Sequence, residues 1–286
     1  MSKSKITRRE FLKFSGKVTA GLAASALLGY EYTQLETKWV DYSKITLQIP
    51  NLPVEFDGYT IAHLTDIHFD ERISPKYFER IVAKVNSFNP DLIAITGDII
   101  DTRTPLDFDP MISNVLDELQ AKDLVCASPG NHDHWEGIKR FNKILADSKV
   151  SVLANQLTTI WRGETPLYIC GADSLMVGKA NLAEIIAQLP KDSSAILLAH
   201  EPDLALQSAP TGKFALQLSG HTHGGLVNLP FFGPPVIPAY GTEYPEGLYD
   251  LEGMYLYTSR GVGTGFYQVR FNCRPEVPII TLKSEG

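Results

Sequence analysis

His221 and His223 stand one residue apart in LQLSGHTHGG (216–225), flanked by glycines and directly after an apolar run. The chain has only seven histidines, so this pair raises the question of loop residues or ligands. Other polar groups fall in comparable places. Asp66 and His68 follow YTIAHLT (59–65), and Asp98 follows DLIAIT (91–96). Asn131 and His132 follow DLVCAS (123–128), and His200 closes SAILLAH (194–200). Imidazole nitrogens and carboxylate or amide oxygens suit Mn, Fe or Zn rather than a thiolate-selected metal. Asp66, His68, Asp98, Asn131, His200, His221 and His223 are too many for one four-coordinate ion. They match two divalent ions that share a carboxylate.

Such ligands need elements that gather them. The short apolar runs read as buried strands. Between them Phe78, Ile81, Val82 and Val85 recur at helical spacing after Pro75, then Val115, Leu116 and Leu119, then Ile138, Phe141, Ile144 and Leu145. This alternation predicts an α/β layered fold with much parallel pairing. TTIWRGETPLYICGAD (158–173) reads as a hairpin about Gly163, and a helix is expected near 180–189. GMYLYTS and VPIITL add strands, so a second sheet packed on the first is expected. Ligands in open α/β sheets bind at the carboxyl ends of strands, which would bring residues distant in sequence to one rim. No linker divides 40–286.

The 286 residues carry 44% hydrophobic and 21% charged residues, an ordinary globular balance. Net charge is −7, yet Lys3, Lys5, Arg8, Arg9, Lys13 and Lys17 crowd the N-terminus. The remainder is more acidic still, so no nucleic-acid-binding surface is expected. Three widely spaced cysteines form neither a disulfide framework nor a Cys-x-x-Cys site, and Cys126 and Cys170 read as core residues. The uncharged stretch Val18–Tyr30 is too short to span a bilayer comfortably. Thr7-Arg8-Arg9-Glu10-Phe11-Leu12-Lys13 resembles the twin-arginine export signal. That resemblance implies passage through export machinery and a place in the cell envelope. Residues 1–35 are then a signal or a retained membrane anchor, and 36–286 the functional domain. Residues 31–57 read as a linker and lead-in strand.

Asp66-x-His68, Gly97-Asp98-x-x-Asp101, Gly130-Asn131-His132-Asp133, His200 and Gly220-His221-x-His223 occur in that order. Together they closely resemble the calcineurin-like metallophosphoesterases. The tail SRGVGTGFYQVRFNCRPEVPIITL resembles the exported or membrane-associated bacterial subgroup. The resemblance implies a two-sheet sandwich flanked by helices, in four layers αββα. It implies a dinuclear metal-dependent hydrolase of phosphodiester, pyrophosphate or phosphomonoester bonds. Asp66, His68 and His223 would hold one ion, Asn131, His200 and His221 the other, with Asp98 bridging. His132 would serve the phosphoryl oxygens or the leaving group, and Asp133 would fix its tautomer and raise its pKa. A narrower expectation is a pyrophosphatase of the UDP-2,3-diacylglucosamine type, in lipid A synthesis. A scaffold that keeps the fold without catalysis is the rival of another class, and a mononuclear zinc hydrolase would hold one ion.

Other residues have plainer readings. His63 lies within a strand and is expected to pack, and His134 to sit outside the ligand set. Asp101 either supports a metal-binding histidine or caps the next helix. Arg72, Arg103 and Arg260 suit a phosphate or a structural ion pair. LPFFGPPVIPAYGTEYPEG (229–247) forms either a lip facing substrate, membrane or lipid, or a buried loop over the second sheet.

Overall fold

The computed structural model describes residues 7–191, 193–265 and 267–284; Lys3 and Lys5 of the basic N-terminus lie outside them. The strands are β1 (Lys44–Ile49), β2 (Thr60–Leu64), β3 (Leu92–Thr96), β4 (Leu124–Ser128), β5 (Ser151–Val152), β6 (Gln156–Arg162), β7 (Thr165–Gly171), β8 (Ala195–Leu198), β9 (Phe214–Ser219), β10 (Gly247–Asp250), β11 (Tyr255–Thr258) and β12 (Ile279–Ser284). The helices are α1 (Arg8–Glu36), α2 (Pro75–Asn86), α3 (Asp109–Asp117), α4 (Asn131–Trp135), α5 (Ile138–Ala146), α6 (Leu182–Gln188) and α7 (Ala205–Ser208).

Among the described residues the strands form two sheets of six, ordered β1-β12-β2-β3-β4-β5 and β10-β11-β9-β8-β7-β6. In the first, β2, β3, β4 and β5 run parallel. In the second, β7, β8, β9 and β11 run parallel, and β6 closes the expected hairpin on β7. The expected sandwich is therefore present, and the period of two explains its layers. Leu92 and Ala94 of β3 face the second sheet, where Ile196, Leu198, Leu216 and Leu218 meet them. Ile93 and Ile95 face the other way, onto the helices. Ala195 and Leu197 of β8 likewise turn outward, to Ile185 of α6.

Helix α2 shows how sequence makes a layer. The Ser74 side chain accepts from the Tyr77 N–H, and Pro75 opens the first turn. Phe78, Ile81, Val82 and Val85 then lie buried along one face. Each such burial stabilises by about 1.5–3 kcal/mol.

One departure from expectation concerns the N-terminal segment. Residues 31–36 belong to α1 rather than to a linker, because that helix continues to Glu36. The Glu36 carboxylate is buried and accepts the N–H groups of Asn272 and Cys273, which docks the helix end. Among the described residues, no helix is long and apolar enough to cross a membrane.

Candidate metal centre and catalytic site

The carboxyl ends of β2, β3, β4, β8 and β9 meet at one rim. Their loops are stitched together by backbone bonds: Asp66 N–H to Gly97 C=O at 3.1 Å, His68 N–H to Asp98 C=O at 3.0 Å, and Gly220 N–H to His200 C=O at 3.0 Å. Asp66, His68, Asp98, His221 and His223 all have positive φ, between 47° and 72°. A left-handed non-glycine residue costs roughly 1–2 kcal/mol, and such residues cluster at functional sites. Close approach completes the geometry. A Cβ on Gly220 would overlap the Asp66 carboxylate and the Thr65 hydroxyl, and one on Gly130 would overlap Asp98.

His200 and His221 are each aimed by a hydrogen bond on the far side of the ring, and His68 by a carboxylate behind it. His200 Nδ1 donates to Thr96 C=O at 2.7 Å, leaving Nε2 facing inward at 3.1 Å from Asp98 Oδ2. His221 Nε2 donates to Ala239 C=O at 2.8 Å, leaving Nδ1 inward at 3.3 Å from His200 Nε2. Asp101 Oδ2 lies 3.2 Å from His68 Nδ1, so Asp101 supports a histidine. His68 Nε2 then stands 3.5 Å from Asp98 Oδ2 and 3.9 Å from Asp66 Oδ1. His223 stacks on His68, and its Nε2 lies 3.4 Å from Asp66 Oδ1. Histidines oriented from behind in this manner are the usual supporting layer of a metal site.

Asp66, His68 and His223 form one compact group that could hold an ion, Asp98, His200 and His221 another, and His68, Asp98 and His132 a third that overlaps both. Asn131 opens α4 and lines the same chamber as Asp98 and His221, and its Oδ1 is buried with no hydrogen-bonding partner in the protein. An orphaned buried acceptor costs about 1–3 kcal/mol, and a cation would satisfy it. The inward His68 Nε2 is likewise buried without a hydrogen-bonding partner. The donor set is all nitrogen and oxygen, which fits divalent Mn, Fe or Zn.

The electrostatics show a site short of positive charge. Burial would raise the Asp98 carboxyl, but the imidazoles of His200, His132 and His68 together outweigh it and hold Asp98 well below the usual carboxylate range. Reciprocally, Asp98 overcomes burial and holds His200 well above the usual imidazole value.

His132 lines the same chamber. Its ring meets His68 and Trp135 edge-on, each at 4.8 Å between centroids. The expected role of Asp133 is corrected. Its carboxylate accepts the N–H groups of Gly130, Asp98, Ile99 and Ile100 at 2.8–3.1 Å, and it is not the ring's partner. Adjacent residues on a helix do not face each other, so Asp133 turns to the backbone behind Asp98 while His132 turns to the chamber. Burial, then Asp98, push the Asp133 carboxyl up to about 7. His132 is lowered by burial, not raised.

His63 packs as expected, with its Nε2 at 2.8 Å from Thr96 Oγ1, and burial pushes its pKa down to about 3. His134 Nε2 pairs with Asp173 Oδ1 at 2.5 Å, outside all three groups. The three candidate phosphate arginines are structural. Arg72 donates to Gln34, Arg103 pairs with Asp101, and Arg260 pairs with Asp41 and Glu276. The 229–240 segment is no buried loop: Phe231 and Phe232 are exposed, while Val236 and Pro238 wall the chamber.

Sequence reasoning missed Arg270 and Glu201. Arg270 is fully buried and donates to the carbonyls of Arg260, Gly261, Gly263 and Cys273. It thereby braces a turn whose Val262 and Gly263 N–H groups bind Thr65 and Asp66 C=O. Glu201 accepts from the Ser174 hydroxyl and the Leu175 and Met176 N–H groups. The alternating glycines of SRGVGTG were the one available signal for the braced turn.

Comparison with known proteins agrees with this geometry. The calcineurin-like phosphoesterase family model matches residues 59–225. An uncharacterized metallophosphoesterase, YkuE of Bacillus subtilis, is 34% identical over 98% of this chain and 99% of its own length. The phosphodiesterase YaeI of Escherichia coli is 30% identical over 97% of this chain and 99% of its own. Among solved structures, TT1561 of Thermus thermophilus shares the fold with a TM-score of 0.51 at 14% identity, covering 73% of this chain and 92% of that one.

Proposed function

The chain belongs to the calcineurin-like phosphoesterase family, and from that premise we propose how this metal-dependent phosphoester hydrolase works. Asp66, His68 and His223 would hold one divalent ion. Asn131, His200 and His221 would hold a second, and Asp98 would serve both. The observation that carries this reading is Asp98 Oδ2, within 3.5 Å of imidazole nitrogens from both sets. Mn, Fe and Zn all suit the ligands. When bound, such ions supply positive charge to phosphoryl oxygens and lower the pKa of water at the site.

The protein's own groups do the rest. The outer bonds from Thr96, Ala239 and Asp101 hold three imidazoles in fixed orientations, so little reorganisation accompanies substrate binding. His132 delivers a proton to the leaving oxygen or donates to the phosphoryl group. Asp133 positions the Asp98 loop. Phosphodiester or pyrophosphate bonds are the favoured targets, in keeping with a phosphodiesterase among the relatives. Retention of every ligand-type side chain speaks against a non-catalytic scaffold. The test is turnover of bis-p-nitrophenyl phosphate against p-nitrophenyl phosphate, with Mn, Fe or Zn restored to the metal-free protein. A chain that binds two ions yet hydrolyses neither ester contradicts the proposal.

Residues 1–35 act as a twin-arginine-type signal or a retained anchor, and 36–286 as the phosphoesterase, at the cell envelope. The reading is supported by Arg8 and Arg9 ahead of the exposed apolar residues Phe11, Leu12, Phe14, Val18, Leu22, Leu27 and Leu28. Fractionation of cells carrying Arg8→Lys/Arg9→Lys tests it: the double variant stays in the cytoplasm if the pair is an export signal, and unchanged placement contradicts that.

A further inference from the structure

The chamber beside the candidate metal centre is walled on its other sides mainly by apolar groups, with the hydroxyl-bearing residues Thr222, Thr264 and Tyr267 among them. It has a volume of about 210 Å³, and its lining includes Trp135, Met176, Leu226, Val236 and Pro238. Among the described residues that line it, none is Lys or Arg. A second anionic group, such as the next phosphate of a nucleotide, would find no cation there. An apolar group would exchange water for apolar contact along Trp135, Met176, Leu226, Val236 and Pro238. The walls are held in place by bonds already described. Glu201 fixes the segment carrying Met176, and His221 fixes the loop carrying Val236 and Pro238 through Ala239 C=O. One wall of the apolar subsite is thus braced by His221, a side chain of the candidate metal centre. The loop that supplies Val236 also exposes Phe231 and Phe232, so its apolar surface extends beyond the chamber.

We infer that this chamber binds the apolar alcohol portion of an amphiphilic phosphoester, and that it sets the substrate preference of the site. The inference rests on the phosphoesterase reading. A cavity of about 150 Å³ accommodates a benzene ring, so about 210 Å³ suits an aromatic ring or a short stretch of alkyl chain. Longer chains would continue along the Phe231–Phe232 surface.

The experiment uses the full, metal-loaded chain and p-nitrophenyl alkyl phosphodiesters from methyl to octyl. We expect kcat/KM to rise with length, by up to about fourfold for each methylene that leaves water. The readout is the octyl-to-methyl ratio within each protein, which separates apolar recognition from general activity. Val236→Asp and Trp135→Ala alter half-exposed to exposed side chains and should flatten that ratio at least tenfold. A ratio near one in the unaltered chain, with bis-p-nitrophenyl phosphate still hydrolysed, overturns the inference and leaves the phosphoesterase reading intact. A steep ratio that both variants preserve places the alkyl chain elsewhere and also overturns it. Failure to hydrolyse any ester overturns both readings.

Discussion

Asp98 Oδ2 stands 3.1 Å from His200 Nε2, while Asp98 Oδ1 accepts the His132 N–H at 2.9 Å. One oxygen is thus committed to the backbone and the other left facing imidazoles, including that of His68 at 3.5 Å. The arrangement unites β3, α4 and β8, and so joins the two sheets at their carboxyl rim. A carboxylate buried this deeply needs a compensating cation.

His132 is expected to matter for turnover and not for metal. Its Nδ1 has no partner, and its ring faces the chamber. His132→Ala should retain the metal content of the parent and lose about 10²–10⁴-fold in kcat. The loss should shrink for esters with good leaving groups, which need no proton. Equal losses across leaving groups would remove the proton-donor role.

Asp133 is expected to act through the backbone. Asp133→Ala leaves the N–H groups of Gly130, Asp98, Ile99 and Ile100 without their acceptor. At about 1–3 kcal/mol for an unsatisfied buried group, the variant should lose about 3 kcal/mol or more in urea unfolding. Unchanged stability would contradict the hydrogen-bond assignment.

Chelation should destabilise the fold. It restores the mutual repulsion of Asp66 and Asp98 and leaves Asn131 Oδ1 unsatisfied. Ions at about a hundred times Kd would stabilise by about 2.7 kcal/mol, so EDTA should lower Tm by roughly 5–10 °C. Re-addition of Mn should restore it, and a Tm indifferent to chelation would argue against a metal centre in the folded protein.

The layering was legible because the strands are short apolar runs and α2 carries a regular apolar face. The candidate ligand set could be drawn from the sequence because each member lies within a few residues of a strand's carboxyl end, where parallel sheets place their ligands. Two kinds of feature were hidden. The direction of Asp133 depends on where one residue's rotation along α4 points it, which the Gly-Asn-His-Asp spelling does not encode. Arg270 bonds to carbonyls, and carbonyls carry no sequence signature. The parallel pairing of β1 with β12 joins the two ends of the domain, beyond the reach of any local pattern. The same holds for the docking of Glu36 onto Asn272 and Cys273.

Metal counting in the unaltered chain and in Asp98→Asn tests the central claim most directly. Elemental analysis after reconstitution with Mn should find two equivalents per chain. Asp98→Asn, which keeps the shape but removes the shared charge, should hold at most one ion and lose at least about 10²-fold in kcat. A single equivalent in the unaltered chain, or two fully retained in Asp98→Asn, would contradict a pair of ions joined by Asp98.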